Sequence, residues 1–331
     1  MHVLSFPYNA YLAAFLGALV TSLISLPLWR AWCNRIGLVD DPGHRKIHNT
    51  PIPLAGGLAI LTGLLVPLLV ATLLLKFSFF GDNTAAPLLH GLSVRAVQLA
   101  AIAFGAVGLT VIGLLDDKYE LRPAHKFVGQ LAIAFIVAAA GVRITLFIPN
   151  LAFSYTITIL WLLTVINAFN FMDNMNGLCS GLGIIGAGLF ALIAAFHGQY
   201  LVTLIALLTC GALVGFLPHN FPKARAFLGD SGSHLVGYLL AVLAILPHFI
   251  NRDQPHRLAV ISPLLVLAVP LGDLAWVVLL RWRKGQPFYI GDTNHLSHRL
   301  VRAGLSKTTA VMLIWLIALL IGTAALMLAA R

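Results

Sequence analysis

The stretch VRAVQLAAIAFGAVGLTVIGLLDDKYELRP, residues 94–123, holds the pattern that decides the fold. Residues 94–115 are almost entirely apolar, and Arg95 is the one charged side chain among them. A helix needs roughly 20 such residues to cross the hydrocarbon core of a bilayer. Asp116 and Asp117 follow directly. The stretch therefore predicts a membrane-spanning helix that ends in a pair of carboxylates.

Apolar runs of similar length recur along the whole chain. The sequence of 331 residues is 60% hydrophobic and only 10% charged, whereas soluble domains carry about 25% charged residues. Lipid is therefore the solvent for most of the chain. We predict an all-α, polytopic integral membrane protein that forms a single domain over residues 1–331. The ten candidate transmembrane helices lie near residues 11–29, 54–75, 94–115, 126–142, 151–169, 178–197, 200–218, 233–250, 258–280 and 308–330.

The positions of lysine and arginine predict the orientation in the membrane. If the loop around Arg45 is cytoplasmic, alternation of the spans places fifteen of the 21 Lys and Arg on the cytoplasmic side. We therefore expect a bacterial inner-membrane protein with both termini outside. An anionic leaflet accounts for the basic excess, so we expect membrane lipid and no nucleic acid as its partner. Most carboxylates also fall on the cytoplasmic side, which indicates chemistry at that face.

The adjacent carboxylates of Asp116 and Asp117 form the first candidate site. Neighbouring negative charges repel each other, and near a membrane boundary they are costly unless a cation or a proton compensates them. They also follow the C-terminal end of a helix, where the macrodipole disfavours anions. Local stability does not explain such a pair, so we interpret it as functional. The alternative is a solvated pair of anions that flanks Lys118.

The run NAFNFMDNMNGL, residues 167–178, carries polar side chains at every third position: Asn167, Asn170, Asp173 and Asn176. If the run is helical, this spacing aligns the four groups along one stripe. Such a stripe is either the wall of a hydrophilic cavity or the edge of a loop. The glycines in and after this run suit close approach of helices or of a ligand: Gly177, Gly181 and Gly183.

In the run FLGDSGSH, residues 227–234, Asp230 comes just before the next apolar segment. Gly-Asp-Ser-Gly at the start of a helix can serve as an N-cap and nothing more. The same geometry offers backbone N–H groups to a phosphate and a hard carboxylate to Mg²⁺. Both interpretations stay open on this motif alone.

The segment DTNHLSHRLVR, residues 292–302, places His295 and His298 beside Arg299. Zinc would need further ligands, and no cysteine is near. With a phosphate-bearing substrate, histidines and arginines together favour an anion cradle. A plain basic cytoplasmic loop is the alternative.

Two further features lie outside these clusters. The segment RKIHNTPIPLAGG, residues 45–57, brings Lys46 in front of a proline-rich turn and a glycine pair. It is interpreted as part of the site, and a basic patch on the membrane surface explains its cations equally well.

Asp273 lies inside the ninth apolar run. For Asp273 we expect a structural partner, such as Arg281 or a neighbouring amide, at least as much as a catalytic role, and we leave it out of the catalytic set.

Taken in order, these motifs resemble the polyprenyl-phosphate N-acetylhexosamine-1-phosphate transferases of glycosyltransferase family 4. The resemblance covers residues 37–305 and is closer to the WecA/TagO branch than to the MraY translocase. It implies transfer of a HexNAc-1-phosphate, with GlcNAc as the first expectation, from a UDP-HexNAc to undecaprenyl phosphate. UMP is released, and the step initiates synthesis of a cell-envelope glycan. The resemblance further implies Mg²⁺, with Mn²⁺ as an alternative, and is compatible with a homodimer.

The resemblance also implies a role for each candidate residue. Asp116, with Asp117 beside it, is similar to the carboxylate that deprotonates the lipid phosphate, and Asp173 is grouped with them as catalytic. Asp230 resembles the Mg²⁺ ligand. The residues implied to bind substrate are Lys46, Asn170 and Asn176, the uracil-side Asn220 and Phe227, and His295, His298 and Arg299 of the His-rich loop.

The chain departs from the family pattern at three positions. Asn174 and Asn176 stand where the family has a glycine and a second aspartate, and Ser297 stands where it has a third histidine. These changes affect the expected sugar or nucleotide preference more than the reaction class. The alternatives are an MraY-like phospho-MurNAc-pentapeptide transferase, a transporter or lipid flippase, and a non-catalytic protein that binds polyprenyl phosphate.

Overall fold

The computed structural model describes residues 5–41, 50–77, 82–145, 148–247, 260–287 and 293–329. Within these ranges the regular secondary structure is helical, apart from one short antiparallel ladder of β1 (Val39–Asp40) and β2 (Ile52–Pro53). The helices are α1 (Tyr8–Ile36), α2 (Gly56–Lys76), α3 (Asp82–Val94), α4 (Ala96–Tyr119), α5 (Pro123–Ala139), α6 (Leu151–Met172), α7 (Leu178–Phe196), α8 (Tyr200–Phe216), α9 (Gly229–Leu243), α10 (Ser262–Val266), α11 (Ala268–Arg283), α12 (Leu296–Arg302) and α13 (Lys307–Ala329).

Seven helices in the described part of the chain are long and apolar enough to cross a membrane. They are α1, α2, α4, α6, α7, α8 with the 3₁₀ turn that follows it, and α13. The three other predicted runs also contain helices, namely the shorter α5, α9 and α11. The prediction of an all-α polytopic membrane protein is confirmed.

The short helix α9 lies at the centre of the bundle. Every residue of α9 except Asp230 is buried, and α2, α4, α6 and α7 pack around it. Its sequence includes Ser231, Ser233 and His234, which would be costly in contact with lipid tails. Because other helices surround α9 on all sides, these polar groups face protein. The central position of α9 therefore places Asp230, in its first turn, at the junction of several helices.

Glycines of the neighbouring helices allow the close approach of the start of α9. A Cβ atom at Gly57 of α2 would lie 2.6 Å from both the Gly232 nitrogen and the Ser231 Oγ. A Cβ atom at Gly113 of α4 would overlap the backbone of Ser231. Small residues at such crossings let helix backbones come together in the absence of a hydrophobic driving force. This packing accounts for the glycine pair that opens α2.

The close helix approach predicted at Gly181 and Gly183 is also confirmed. A Cβ atom at Gly183 of α7 would lie 2.8 Å from Val236 of α9, and one at Gly181 would overlap the ring of Trp315 in α13. The glycines of α7 therefore allow this helix to pack closely against both the central helix α9 and the last helix α13.

We expect Gly113→Ala to lower the free energy of unfolding by about 1–3 kcal/mol, because the added methyl group forces α4 away from the start of α9. The melting midpoint of the purified protein in detergent measures this effect. Gly188→Ala in α7 is the matched control, because a Cβ atom there meets no heavy atom within 4 Å. A Gly113→Ala protein as stable as the Gly188→Ala protein would contradict the packing described for this crossing.

Candidate active site

The ends of three helices meet around one lysine. Lys126, in the first turn of α5, places its Nζ 2.6 Å from the Asp116 Oδ2 and 2.8 Å from the Asp230 Oδ2. The side chains of Lys126 and Asp116 are only 18% and 9% exposed. Charges that are shielded from water need a close partner of opposite sign. The ammonium group of Lys126 therefore compensates the carboxylates of α4 and α9 together. Sequence reasoning counted Lys126 only as one of the cytoplasmic cations.

Asn170 of α6 completes this group. Its Nδ2 donates to the Asp230 Oδ1 at 2.5 Å and to the Ser233 Oγ at 3.0 Å. Asp230 thus has Lys126 at one oxygen and Asn170 at the other. The structure brings together Asp116, Asn170 and Asp230, which are predicted site residues from three separate motifs. We call this group, with Lys126, the carboxylate cluster.

Asp117 has a different environment from its neighbour. Its Oδ1 accepts the backbone N–H of Asp230 at 2.7 Å, and its Oδ2 accepts that of Ser231 at 3.1 Å. These N–H groups lie at the N-terminus of α9, where helical partners are lacking and the dipole favours an anion. Asp117 therefore caps α9 from another helix. The N-cap interpretation of the Gly-Asp-Ser-Gly motif is corrected accordingly: the capping carboxylate is Asp117, and Asp230 is the residue that it orients.

The backbone at Gly229 is adapted to this contact. Gly229 has φ +70°, and a Cβ atom there would lie 2.7 Å from the Asp117 Oδ2. Only glycine takes this conformation readily and leaves the space that the carboxylate occupies. The Gly-Asp dipeptide of the motif therefore serves the contact between α4 and α9.

The polar stripe of residues 167–178 is only partly helical. Helix α6 ends at Met172, so Asn167 and Asn170 share a helix face while Asp173 and Asn176 lie in the turn beyond it. The Asn176 Nδ2 donates to the Pro222 carbonyl at 3.2 Å. Desolvation by the surrounding protein, followed by the negative charges of Asp230 and Asp117, raises the pKa of the Asp173 carboxyl well above its usual range. Asp173 therefore feels the electrostatic field of the carboxylate cluster.

A second polar layer lies behind the carboxylate cluster, and sequence reasoning identified only its Asn167. The Asn167 Nδ2 donates to the Gln130 Oε1 at 2.9 Å, and the Gln130 Nε2 lies 3.3 Å from the Nε2 of the fully buried His234. Gln130 follows Lys126 by four residues on α5, and His234 follows Asp230 by four on α9. Residues at this spacing share one helix face. This four-residue spacing is the sequence signal from which the polar layer could have been predicted.

The two residues expected near uracil lie at a loop junction. The Asn220 Oδ1 accepts the Gly177 N–H at 2.7 Å, and its Nδ2 donates to the Ala226 carbonyl at 3.0 Å. Asn220 is only 3% exposed. The Phe227 backbone bonds to the segment around β2, and its side chain is half-buried. Asn220 thus holds two loops together, and contact of Asn220 or Phe227 with uracil stays a prediction.

The His-rich segment forms the short helix α12. His295 is buried, His298 is half-buried, and their ring centres lie 6.4 Å apart. Desolvation, followed by the charges of His295, Lys307 and Arg302, lowers the pKa of His298. The Arg299 guanidinium lies 5.0 Å from the ring centre of Trp276. Two histidines and one arginine of the predicted anion cradle therefore share one short element.

Two of the three departures from the family pattern contact each other. The Ser297 hydroxyl donates to the Asn174 Oδ1 at 2.6 Å, and the Asn174 Nδ2 donates to the Phe171 carbonyl at 2.7 Å. This chain of hydrogen bonds ties α12 to the turn that contains Asp173. The substitutions at positions 174 and 297 are therefore compatible with each other in space.

Comparison with known proteins agrees with this arrangement. The family model described as Glycosyl transferase family 4 matches residues 99–248. Over 323 residues the chain is 31% identical to a Bacillus subtilis protein named a probable undecaprenyl-phosphate N-acetylglucosaminyl 1-phosphate transferase, covering 95% of this chain and 84% of that protein. The chain belongs to the polyprenyl-phosphate N-acetylhexosamine-1-phosphate transferases of family 4.

Two further relatives of this transferase have similar coverage. A decaprenyl-phosphate N-acetylglucosaminephosphotransferase of Mycobacterium tuberculosis is 32% identical over 331 residues, covering 92% of this chain and 79% of that protein. An undecaprenyl-phosphate alpha-N-acetylglucosaminyl 1-phosphate transferase of Escherichia coli is 26% identical over 328 residues, covering 92% and 82%. The similarity therefore extends over nearly the whole chain.

The donor set of the transferase fits Mg²⁺. Among the described residues no three His, Cys, Asp or Glu side chains form a metal-binding group. Mg²⁺, however, usually takes one or two carboxylates and completes its shell with water and substrate phosphates. Asp116 and Asp230 offer hard carboxylate oxygens that already converge on one cation, the Lys126 ammonium. These two carboxylates are the residues that could hold the ion. The predicted substrate contact Lys46 lies outside the described residues.

We expect Asp117→Ala to lower the free energy of unfolding by about 2–3 kcal/mol, because two buried N–H groups at the start of α9 lose their acceptor. The melting midpoint in detergent measures the loss. Glu120→Ala is the control, because Glu120 is an exposed carboxylate just beyond the same end of α4. If both variants melt alike, the cap contributes nothing to stability.

We expect Asp173→Asn to stabilise the transferase at neutral and alkaline pH. Because the pKa of Asp173 is raised on folding, its ionisation costs free energy in the folded state. This cost is absent below the usual carboxyl pKa of about 4 and complete above the raised value. The melting midpoint of the variant should exceed that of the wild type increasingly as pH rises above about 4. A difference that does not change with pH would contradict the raised pKa.

Proposed function

We propose that this protein transfers GlcNAc-1-phosphate from UDP-GlcNAc to undecaprenyl phosphate and releases UMP. The observation that carries the proposal is the carboxylate cluster, in which Asp116 and Asp230 share the Lys126 cation. Phosphoryl transfer depends mainly on positioning and on neutralising charge on the phosphoryl oxygens. A cluster with carboxylates for a metal ion and an ammonium for phosphate supplies both. The names of the relatives support GlcNAc as the sugar and do not favour the phospho-MurNAc-pentapeptide alternative.

Mg²⁺, with Mn²⁺ as an alternative, would be held by Asp230 and Asp116 and would neutralise charge on the pyrophosphate of the donor. Lys126, which bonds to both of these carboxylates, would supply a positive charge to the same phosphates. Asn170 keeps Asp230 in one orientation, because it bonds to Asp230 and Ser233 together. These residues bind and orient the reacting groups.

The three catalytic candidates then take different roles. Asp117 is engaged with the backbone of α9, and Asp116 with Lys126 and the Leu121 N–H. The Asp173 carboxylate accepts no hydrogen bond from the described part of the chain. Its oxygens are therefore not engaged by the protein groups that hold the other two carboxylates, and a general base needs such an oxygen within reach of the proton that it accepts. We assign proton acceptance from the lipid phosphate to Asp173, and the positioning of charge to Asp116 and Asp117.

The location of the cluster supports a substrate that arrives from the membrane. Asp116 lies in the last turn of α4, and Lys126 and Asp230 lie in the first turns of α5 and α9. Carboxylates at helix ends suit chemistry on a lipid phosphate at the bilayer surface, whereas a proton-coupled transporter or flippase carries them near the midplane. We propose that this face is cytoplasmic in a bacterial inner membrane, with both termini outside. A homodimer remains part of the proposal on the family resemblance alone.

UMP release tests this function. Purified full-length protein is incubated with undecaprenyl phosphate, Mg²⁺ and, in separate reactions, UDP-GlcNAc, UDP-GalNAc and UDP-MurNAc-pentapeptide. We expect UMP and labelled lipid with UDP-GlcNAc, loss of both on chelation of the metal, and at least about a 10³-fold lower kcat for Asp230→Asn. Glu120→Gln is the matched control for loss of a surface carboxylate. No UMP with any donor, under conditions in which the Escherichia coli relative is active, rejects the proposal.

A further inference from the structure

A buried carboxylate in α11 holds the start of α12. The Asp273 Oδ2 lies 2.7 Å from the His295 Nδ1, and its Oδ1 accepts the Leu296 N–H at 2.6 Å. Asp273 and His295 are each 5% exposed. Of the expected structural partners, Arg281 or a neighbouring amide, the structure gives an amide: within the described residues Asp273 contacts the Leu296 backbone N–H and the ring of His295. One carboxylate thus fixes two successive residues of the His-rich segment.

The contact determines which nitrogen of His295 carries hydrogen. An ionised carboxylate only accepts hydrogen bonds, so the Nδ1 of His295 must donate to it. The Nε2 is then the nitrogen left for a substrate, as an acceptor in the neutral ring and as a donor in the charged ring. A hydrogen bond to one ring nitrogen is the usual way in which proteins fix the tautomer of a functional histidine.

Further contacts hold this ring beside the proposed site. The ring centres of His295 and Phe171 lie 5.6 Å apart, edge to face, and the guanidinium of Arg281 lies 5.0 Å from the centre of the same Phe171 ring. Phe171 precedes Asp173 by two residues at the end of α6. The hydrogen bond from Ser297 to Asn174 ties α12 to this turn a second time. His295 is therefore fixed against the segment that leads into Asp173.

We propose that Asp273 is a positioning residue of the transferase, which acts through His295. Asp273 sets both the place and the tautomer of the imidazole, so that the Nε2 of His295 is the atom available to the pyrophosphate or sugar of the donor. The proposal rests on the proposed function for the identity of that substrate. The contact between Asp273 and His295 itself stands on geometry alone.

The Asp273→Asn variant distinguishes a role of Asp273 in orienting the His295 ring from a purely structural role. The Asn oxygen can still accept the Leu296 N–H, whereas its amide NH₂ faces the Nδ1 of His295 and favours the opposite tautomer. We expect a melting midpoint close to that of the wild type, a nearly unchanged KM for the UDP-sugar, and a fall in kcat of about 10²–10⁴-fold. The upper value is the loss known for the corresponding Asp→Asn change in a serine-protease triad. Asp273→Glu, which keeps the acceptor, should recover part of the activity. Glu120→Gln is the control for loss of a carboxylate.

A double-mutant cycle and a spectroscopic measurement complete the test. In a His295→Ala background, Asp273→Asn should cause no further loss of kcat, because its effect passes through the missing ring. Additive losses, or wild-type kcat in Asp273→Asn, overturn the proposal.

Nitrogen-15 NMR of histidine-labelled protein, with the His295 signal assigned from the His295→Ala spectrum, should show hydrogen on Nδ1 in the wild type and its loss in Asp273→Asn. If the wild type releases no UMP, the proposed function fails, and the same spectra still decide whether Asp273 sets the tautomer.

Discussion

The carboxylate of Asp117 bonds to the first N–H groups of the central helix α9, and the geometry of the site depends on this contact. Helix α9 is surrounded by protein, and its first N–H groups have no partner within the helix. Capping by a charged group from α4 satisfies these donors and joins the two helices at one point. Because Asp230 is among the capped residues, the same contact sets the position of its carboxylate relative to Asp116. The glycines at 57 and 113 make the approach sterically feasible.

Charge balance is the second constraint on the site. The carboxylates of α4, of α9 and of the turn after α6 lie near one another at the edge of a low-dielectric bundle, where like charges repel strongly. Lys126 offsets two of them, and desolvation, followed by the negative charges of Asp230 and Asp117, raises the pKa of Asp173. Such an arrangement gains from a further cation. A divalent ion that arrives with a pyrophosphate would relieve repulsion that the protein alone balances incompletely.

The site has two parts with different construction. The carboxylate cluster is built from α4, α5, α6 and α9, and its four residues all lie within residues 99–248, which the family model matches. The His-rich helix α12 comes later in the chain and is attached through Asp273 of α11 and through Asn174. The attachment uses buried and partly buried hydrogen bonds, which are directional and hold α12 in one position. The departures at positions 174 and 297 fall on this attachment, and the carboxylate cluster is free of them.

The sequence by itself determined the class of fold and most of the members of the site. Apolar length predicted the ten helical runs, because the thickness of a bilayer fixes how many residues a span needs. The cost of ionised groups near lipid singled out Asp116 and Asp117, the polar spacing singled out Asp173, and the Gly-Asp-Ser-Gly motif singled out Asp230. Only the tertiary structure decided how these groups are paired. The structure places Lys126 between two carboxylates, Asp117 on the α9 backbone and Asp273 beside His295. Each arrangement brings together residues that are separated along the chain. Periodicity reveals which face of a helix is polar, but the partner of that face depends on which helices the glycines and the packing bring together.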